Sequence, residues 1–141
     1  MKSTHRALSG SVRWLAAAAV LAAAAGCATT SANPEEHVTR LAEQRWAHLI
    51  DGRWQQAYDM LTPAYRKLHD LAEYRGTFKG GGVQWKGAKV VRSECEADKC
   101  ELRLEITVLN PLGRRPGDTI STHVTEQWLK EGARWYYYEK P

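Results

Sequence analysis

Hydrophobic spacing in this chain changes period once, at Gly80-Gly81-Gly82. Before that break, apolar residues recur every three or four positions, the period of a helix with one buried face. Val38, Leu41, Ala42, Trp46, Leu49 and Ile50 form such a stripe. Asn33-Pro34-Glu35-Glu36 opens it with a capping residue, a proline suited to the first turn and early acids. Asp51-Gly52 closes it. A second short helix carries Trp54, Ala57, Tyr58 and Leu61, and Thr62-Pro63 begins a further turn with Tyr65 and Leu68. Asp70-Leu71-Ala72-Glu73 repeats the cap-plus-acid pattern ahead of Tyr74 and Phe78.

After the break the period is two. Val83, Trp85, Lys89 and Val91 alternate with Gln84, Lys86, Val90 and Arg92. Leu102, Leu104, Ile106 and Val108 alternate with charged or polar neighbours, as in a half-buried strand. Pro111 to Asp118 is rich in turn formers, a third strand is expected from about Thr119 to Leu129, and a fourth from Arg134 to Glu139. Helices first and an antiparallel sheet second is an α+β plan, with the helices on one face of four strands.

The N-terminal segment is set apart from both halves. Lys2, Arg6 and Arg13 precede an apolar run from Trp14 to Ala25, too short to span a bilayer comfortably. Ala24-Ala25-Gly26-Cys27 closes it and resembles the lipobox of bacterial lipoproteins, with Ala24 where leucine is common. The resemblance implies a removable signal over residues 1–26, a lipidated Cys27 on a short tether over 27–33, and a domain over 34–141. It implies a membrane partner through the N-terminal lipid, and a place in the cell envelope facing the periplasm. Ala28 after the cysteine points to the outer membrane in the same scheme.

Removing that signal alters the charge argument. Three of the 20 basic residues lie in it, leaving 17 against 16 acids, a balance of about +1. A balance so near neutral gives no reason to expect nucleic acid as a partner. Cys95 and Cys100 remain as an even pair, separated by four residues between two expected strands. In an oxidising compartment they are expected to form a disulfide across a hairpin end. A zinc site needs two more ligands that are not at suitable spacing, so no metal is expected. Fixing the register on this pair sets Val91 opposite Leu104 and Trp85 opposite Asn110. A tight turn at Glu131-Gly132 sets Trp128 opposite Trp135 and Glu126 opposite Tyr137.

The stretch Trp46-Ala47-His48-Leu49-Ile50-Asp51-Gly52-Arg53-Trp54-Gln55-Gln56-Ala57-Tyr58-Asp59-Met60-Leu61-Thr62-Pro63 resembles the opening of nuclear transport factor 2-like domains. These include the SnoaL-like and ketosteroid-isomerase-like groups. Tyr74 and Phe78 resemble the next helix of that family. The resemblance implies a cone enclosed between helices and a curved, mostly antiparallel sheet, and in many members a dimer formed through the sheet. Members include isomerases, dehydratases and non-catalytic binding or assembly modules, so the fold alone does not set the function.

Strand alternation places Glu126 with Ile120, Thr122, Val124 and Trp128 on the core-facing side. A carboxylate there is either a candidate acid or base with a raised pKa or the partner of an arginine. Tyr58, Tyr65, Trp85, Trp128 and Tyr137 are the other candidates for lining a pocket. Leu129, Tyr136 and Tyr138 fall on the opposite face as candidates for a protein interface. His123 shares that outer face, and His48 and His69 lie at helix ends. No second interior carboxylate accompanies Glu126, so an enolising set is incomplete. No nucleophile elbow, phosphate loop or His-Glu-x-x-His is present, and no cofactor is expected. The favoured expectation is a non-catalytic module that binds a small apolar ligand or an envelope protein. The alternatives are a cofactor-free isomerase or lyase using Glu126, and a structural envelope protein.

Overall fold

The computed structural model describes residues 33–79 and 83–140, and the domain is taken from these. Cys27, the leader and most of the tether lie outside the described residues. Four helices come first: α1 (Pro34–Ile50), α2 (Trp54–Asp59), α3 (Pro63–Leu68) and α4 (Leu71–Lys79). Four strands follow: β1 (Trp85–Cys95), β2 (Lys99–Leu109), β3 (Thr119–Glu131) and β4 (Arg134–Tyr138). They form one open antiparallel sheet in the order β1-β2-β3-β4. The α+β plan is therefore the observed one.

Local chemistry explains the helix boundaries. The Asn33 side chain accepts from the Glu35 amide at 3.1 Å, and Pro34 occupies the first turn, where its missing N–H costs nothing. Gly52, with φ of 69°, lets the chain leave α1 through backbone bonds from Gly52 to Leu49 and from Arg53 to His48. Thr62 caps α3 through its hydroxyl. Asp70 and Glu73 form a reciprocal capping box at α4, in which each side chain accepts from the other's amide.

The core lies between α1 and the inner face of the sheet. Val38, Ala42, Trp46 and Leu49 from α1 meet Cys100, Leu102, Leu104, Ile106 and Trp128 from the strands. Ala57, Leu61 and Tyr74 complete it. The outer edge of β4 is covered by the segment between α2 and α3. There the Tyr137 amide donates to the Met60 carbonyl at 2.8 Å, and the Thr62 amide donates to the Tyr137 carbonyl at 3.1 Å. This removes one exposed strand edge.

The hairpin registers differ in detail from the expected ones. Cys95 does face Cys100, and their sulfurs are bonded. Moving away from that end, the β1–β2 register slips once between Val90 and Arg92 and again between Trp85 and Gly87. Leu104 therefore faces Val90 rather than Val91, and Trp85 faces Val108 rather than Asn110. Each irregularity inserts one extra residue, so the inward set changes parity twice. Val91 is the residue pushed outward at the first, and it is half exposed. Val83 precedes the strand and is also exposed. At the other hairpin the turn is Gly132-Ala133, so Trp128 faces Tyr137 and Trp135 faces Lys130. Gly132 has φ of 62°, as a tight two-residue turn demands. This register is two residues from the expected one, so every side chain keeps its face. Glu126, Trp128 and Tyr137 still point inward. Ile120 and Thr122 belong to the same set but are exposed, and among the described residues no helix covers that end of the sheet.

Candidate functional site

Glu126 is 3% exposed, and both of its carboxylate oxygens are engaged. Oε1 accepts from Arg45 Nη1 at 2.8 Å and from Trp46 Nε1 at 2.6 Å. Oε2 accepts from Trp128 Nε1 at 3.0 Å. Two of these donors sit side by side on α1, and the third lies two residues along β3. Helical and strand periodicity thus bring all three to one carboxylate.

Arg45 is 2% exposed and is held from several sides. Its guanidinium carbon lies 3.6 Å from the centre of the Tyr137 ring, a cation–π contact. Its Nη2 donates to the Tyr74 hydroxyl at 3.4 Å, a long contact. Among the described residues its Nε has no partner. A buried charge is tolerated only when paired and hydrogen-bonded, and this pair meets that condition on the carboxylate side.

The electrostatics follow from burial opposed by pairing. Burial works against the Arg45 charge, but Glu126, with Tyr74, Tyr137 and Glu139 behind it, more than offsets this and holds the guanidinium's pKa above its ordinary value. Burial pushes the Glu126 carboxyl above the usual carboxylate range, while Arg45 and the two indole N–H groups pull it back. The Tyr137 hydroxyl is pushed well above the ordinary phenol value, by burial first.

Little room remains around the pair. Trp46 and Trp85 meet edge to face with centroids 5.5 Å apart, Phe78 packs on Trp85 at 5.5 Å, and Tyr74 packs on Phe78 at 5.1 Å. Trp128 lies against Tyr137. Trp85, Glu126, Trp128 and Tyr137, all pocket candidates on sequence grounds, are packed on the inner face of the sheet. The other two candidates point elsewhere. The Tyr58 hydroxyl donates to the carbonyls of His69 at 2.7 Å and Arg66 at 3.2 Å, closing the end of α3. Tyr65 packs on His69 in a tilted arrangement with centroids 4.6 Å apart and lines a separate surface cleft. Neither Tyr58 nor Tyr65 is a donor to Glu126, so the polar set that acid–base chemistry at this carboxylate needs is not assembled.

The candidate interface residues lie on the outer face of β3 and β4, where Leu129 faces Tyr136 and Gln127 faces Tyr138. All three candidates are half-buried, and Arg134 lies over the Tyr136 ring. Among the described residues, the large apolar side chains that are exposed are Leu68, Val83, Val91, Leu112 and Ile120. None of them belongs to the Leu129, Tyr136 and Tyr138 group. Among the described residues there is also no cluster of three or more metal-ligating side chains.

Arg45 was missing from the sequence reading, and it left a signal. It stands seven residues after Val38 and four before Leu49, inside the apolar stripe of α1. A cation on the buried face of the helix and a carboxylate on the buried face of the sheet each call for the other.

No family model matches this chain, and no curated protein matches it. Solved structures do. A SEC-C motif containing protein from Rhodopseudomonas palustris superposes with a TM-score of 0.56 at 19% identity, covering 70% of this chain and 73% of that one. A SEC-C motif containing protein from Psychrobacter arcticus gives 0.55 at 18% identity, covering 74% of this chain. The chain spans 58% of that protein's length. A Campylobacter jejuni protein named as an NTF2-like transpeptidase gives 0.44 at 19% identity, covering 77% of this chain and 99% of that one. At these identities the first two likenesses speak for the arrangement of helices on an open sheet and for nothing about activity.

Proposed function

We propose that this protein is a lipid-anchored envelope protein whose nuclear transport factor 2-like domain serves as a non-catalytic recognition or assembly module. One observation carries the non-catalytic part. Among the described residues, the only carboxylate that strand alternation turns toward the core is buried, ion-paired to Arg45 and capped by two indoles. A group held this way stabilises and orders the interior instead of meeting a substrate. Recognition then falls to the surface of a stiff domain.

The family reading is supported by the order of elements along the quoted stretch. A helix ends at Gly52, a second follows, and Thr62-Pro63 opens the next, ahead of α4 and the sheet. The anchor reading is supported by the basic start, the short apolar run and the small residues before Cys27. The bonded Cys95–Cys100 pair suits an oxidising compartment. Ala28 favours the outer membrane, facing the periplasm. A homodimer through the outer face of the sheet is the most economical partner scheme, with Leu129, Tyr136 and Tyr138 at its centre.

The test is made on native material. Intact mass of the membrane-extracted protein should show a chain that starts at Cys27 and carries acyl groups. Cys27→Ser should move the protein out of the membrane fraction. An unacylated chain, or membrane retention of the Cys27→Ser variant, would remove the anchor from this reading. Sedimentation of Tyr136→Ser/Tyr138→Ser against the parent chain tests the dimer. An unchanged mass would reject it.

A further inference from the structure

The cleft that contains Tyr65 lies at the surface beside α3 and α4. Its volume is about 370 Å³, and it is lined by Tyr65, His69, Tyr74, Thr77, Phe78 and Glu139, with Lys140 at the side. The two ends of this lining differ in kind. One is aromatic: Tyr65 meets Tyr74 edge to face at 6.4 Å, and Tyr74 meets Phe78 at 5.1 Å. Tyr65 and Phe78 are half-buried and line the opening, Phe78 with one face stacked on Trp54 at 5.6 Å, while Tyr74 forms the buried floor. The other end is a carboxylate. Glu139 follows β4, is half-buried, and forms no ion pair with any described residue.

Its charge is felt throughout the cleft. Burial first and Glu139 second push the Tyr65 hydroxyl above its ordinary value. The cations nearby are otherwise disposed. Arg45 lies behind Tyr74 and belongs to Glu126. His69 packs against Tyr65 and lies 3.4 Å from Glu73. Lys140 is exposed and, although next in sequence, does not pair with Glu139.

We propose that this cleft binds a small organic cation, a primary or quaternary ammonium group seated against Tyr65 and Phe78 with Glu139 as its counter-ion. Ring faces carry negative electrostatic potential and attract ammonium groups, the more so when water is partly excluded. A half-buried carboxylate with no ion-pair partner among the described residues adds charge complementarity, and a cleft of this size holds a ligand of a few heavy atoms beyond the ammonium group. The inference deepens the recognition-module reading by naming a ligand class, and it does not depend on the lipid anchor.

The experiment is a titration of the 141-residue chain, in an uncharged maltoside detergent at about pH 8, where an ordinary imidazole is neutral. The probe is tetramethylammonium chloride, with sodium chloride at matched ionic strength as the control. Amide and ring resonances of Tyr65, Thr77, Phe78 and Glu139 should shift saturably with tetramethylammonium and not with sodium. Glu139→Gln should weaken binding about fivefold or more, the loss expected on removing one charge contact from such a site. Lys140→Ala should tighten it by removing a competing ammonium. Absence of saturable shifts, or equal affinity in Glu139→Gln, would overturn the proposal. So would saturable binding of acetate in place of the cation. If Glu139→Gln fails to fold, Phe78→Leu and Lys140→Ala decide between the same outcomes. Cross-linking in intact envelopes tests the recognition reading separately, because it requires no cation.

Discussion

Two carboxylates in this domain share aromatic neighbours and have opposite circumstances. Glu126 is sealed under α1, with three donors on its two oxygens and a guanidinium as counter-charge. Glu139 sits at the rim of a cleft beside tyrosines, without an ion pair. The same functional group is ion-paired inside the fold in one place and has no counter-charge among the described residues in the other. What differs is access to water and the completeness of the hydrogen-bond shell. A closed shell converts a charge into structure, and an open one leaves it available.

The sharpest way to break this contrast is Glu126→Gln. The carboxylate accepts on both oxygens, whereas an amide must turn its NH2 either toward Trp128 Nε1 or toward Arg45 and Trp46. One donor then faces another, and Arg45 keeps a buried charge without its counter-charge. Breaking one side of a buried pair costs about 3–5 kcal/mol, and urea denaturation should show a fall of that size. A loss below about 1 kcal/mol would mean that the pair is solvated in solution. Removing both charges, as Arg45→Met with Glu126→Leu, should cost less than the sum of the single changes. The coupling should lie in the range of about 0.5–3 kcal/mol for residues in direct contact.

How much of this was legible in the sequence depends on how local the determinant is. The helices were legible because their caps are local: Asn33-Pro34, Asp51-Gly52, Thr62-Pro63 and Asp70 with Glu73 each act within one turn. The face assigned to Glu126 was legible because strand parity survives a two-residue change of turn. The partner of Val91 was not, because an inserted residue at the Val90–Arg92 step reverses parity and no turn residue marks it. Arg45 was passed over because a cation in an apolar stripe reads as an edge of the stripe until its counter-charge is placed across 81 residues of sequence. The cleft could not be read at all, since it joins α3, α4 and the end of β4, and nothing in the local sequence of any one of them implies the others.

A smaller effect probes the end of the sheet nearest the closed site. Cys100 is fully buried beside Trp128, and its bond to Cys95 closes a loop with a sequence separation of only 5. Loop-closure entropy for so short a ring gives about 2 kcal/mol, so Cys95→Ala/Cys100→Ala, or reduction, should lower the unfolding free energy from urea denaturation by that amount. The change should leave the tetramethylammonium titration untouched, because the cleft lies against α3 and α4. Smaller again is Tyr58→Phe. It frees the carbonyls of Arg66 and His69 beside the cleft and should cost about 1 kcal/mol in the same assay. Because His69 packs against Tyr65, this variant should also loosen cation binding, which tests whether the aromatic wall is preformed.

The smallest expected change in stability is the most informative about the comparison. Glu139→Gln removes a charge that has no ion-pair partner, and its half-exposed position leaves either side chain able to hydrogen-bond to water. The unfolding free energy from urea denaturation should move by less than about 0.5 kcal/mol, the range of substitutions that break no buried contact. A loss as large as that of Glu126→Gln would mean that Glu139 is also spent on structure, and the difference between closed and open carboxylates would disappear. Stability unchanged while tetramethylammonium binding weakens would separate the two roles cleanly: one glutamate that the fold needs, and one that the fold merely presents.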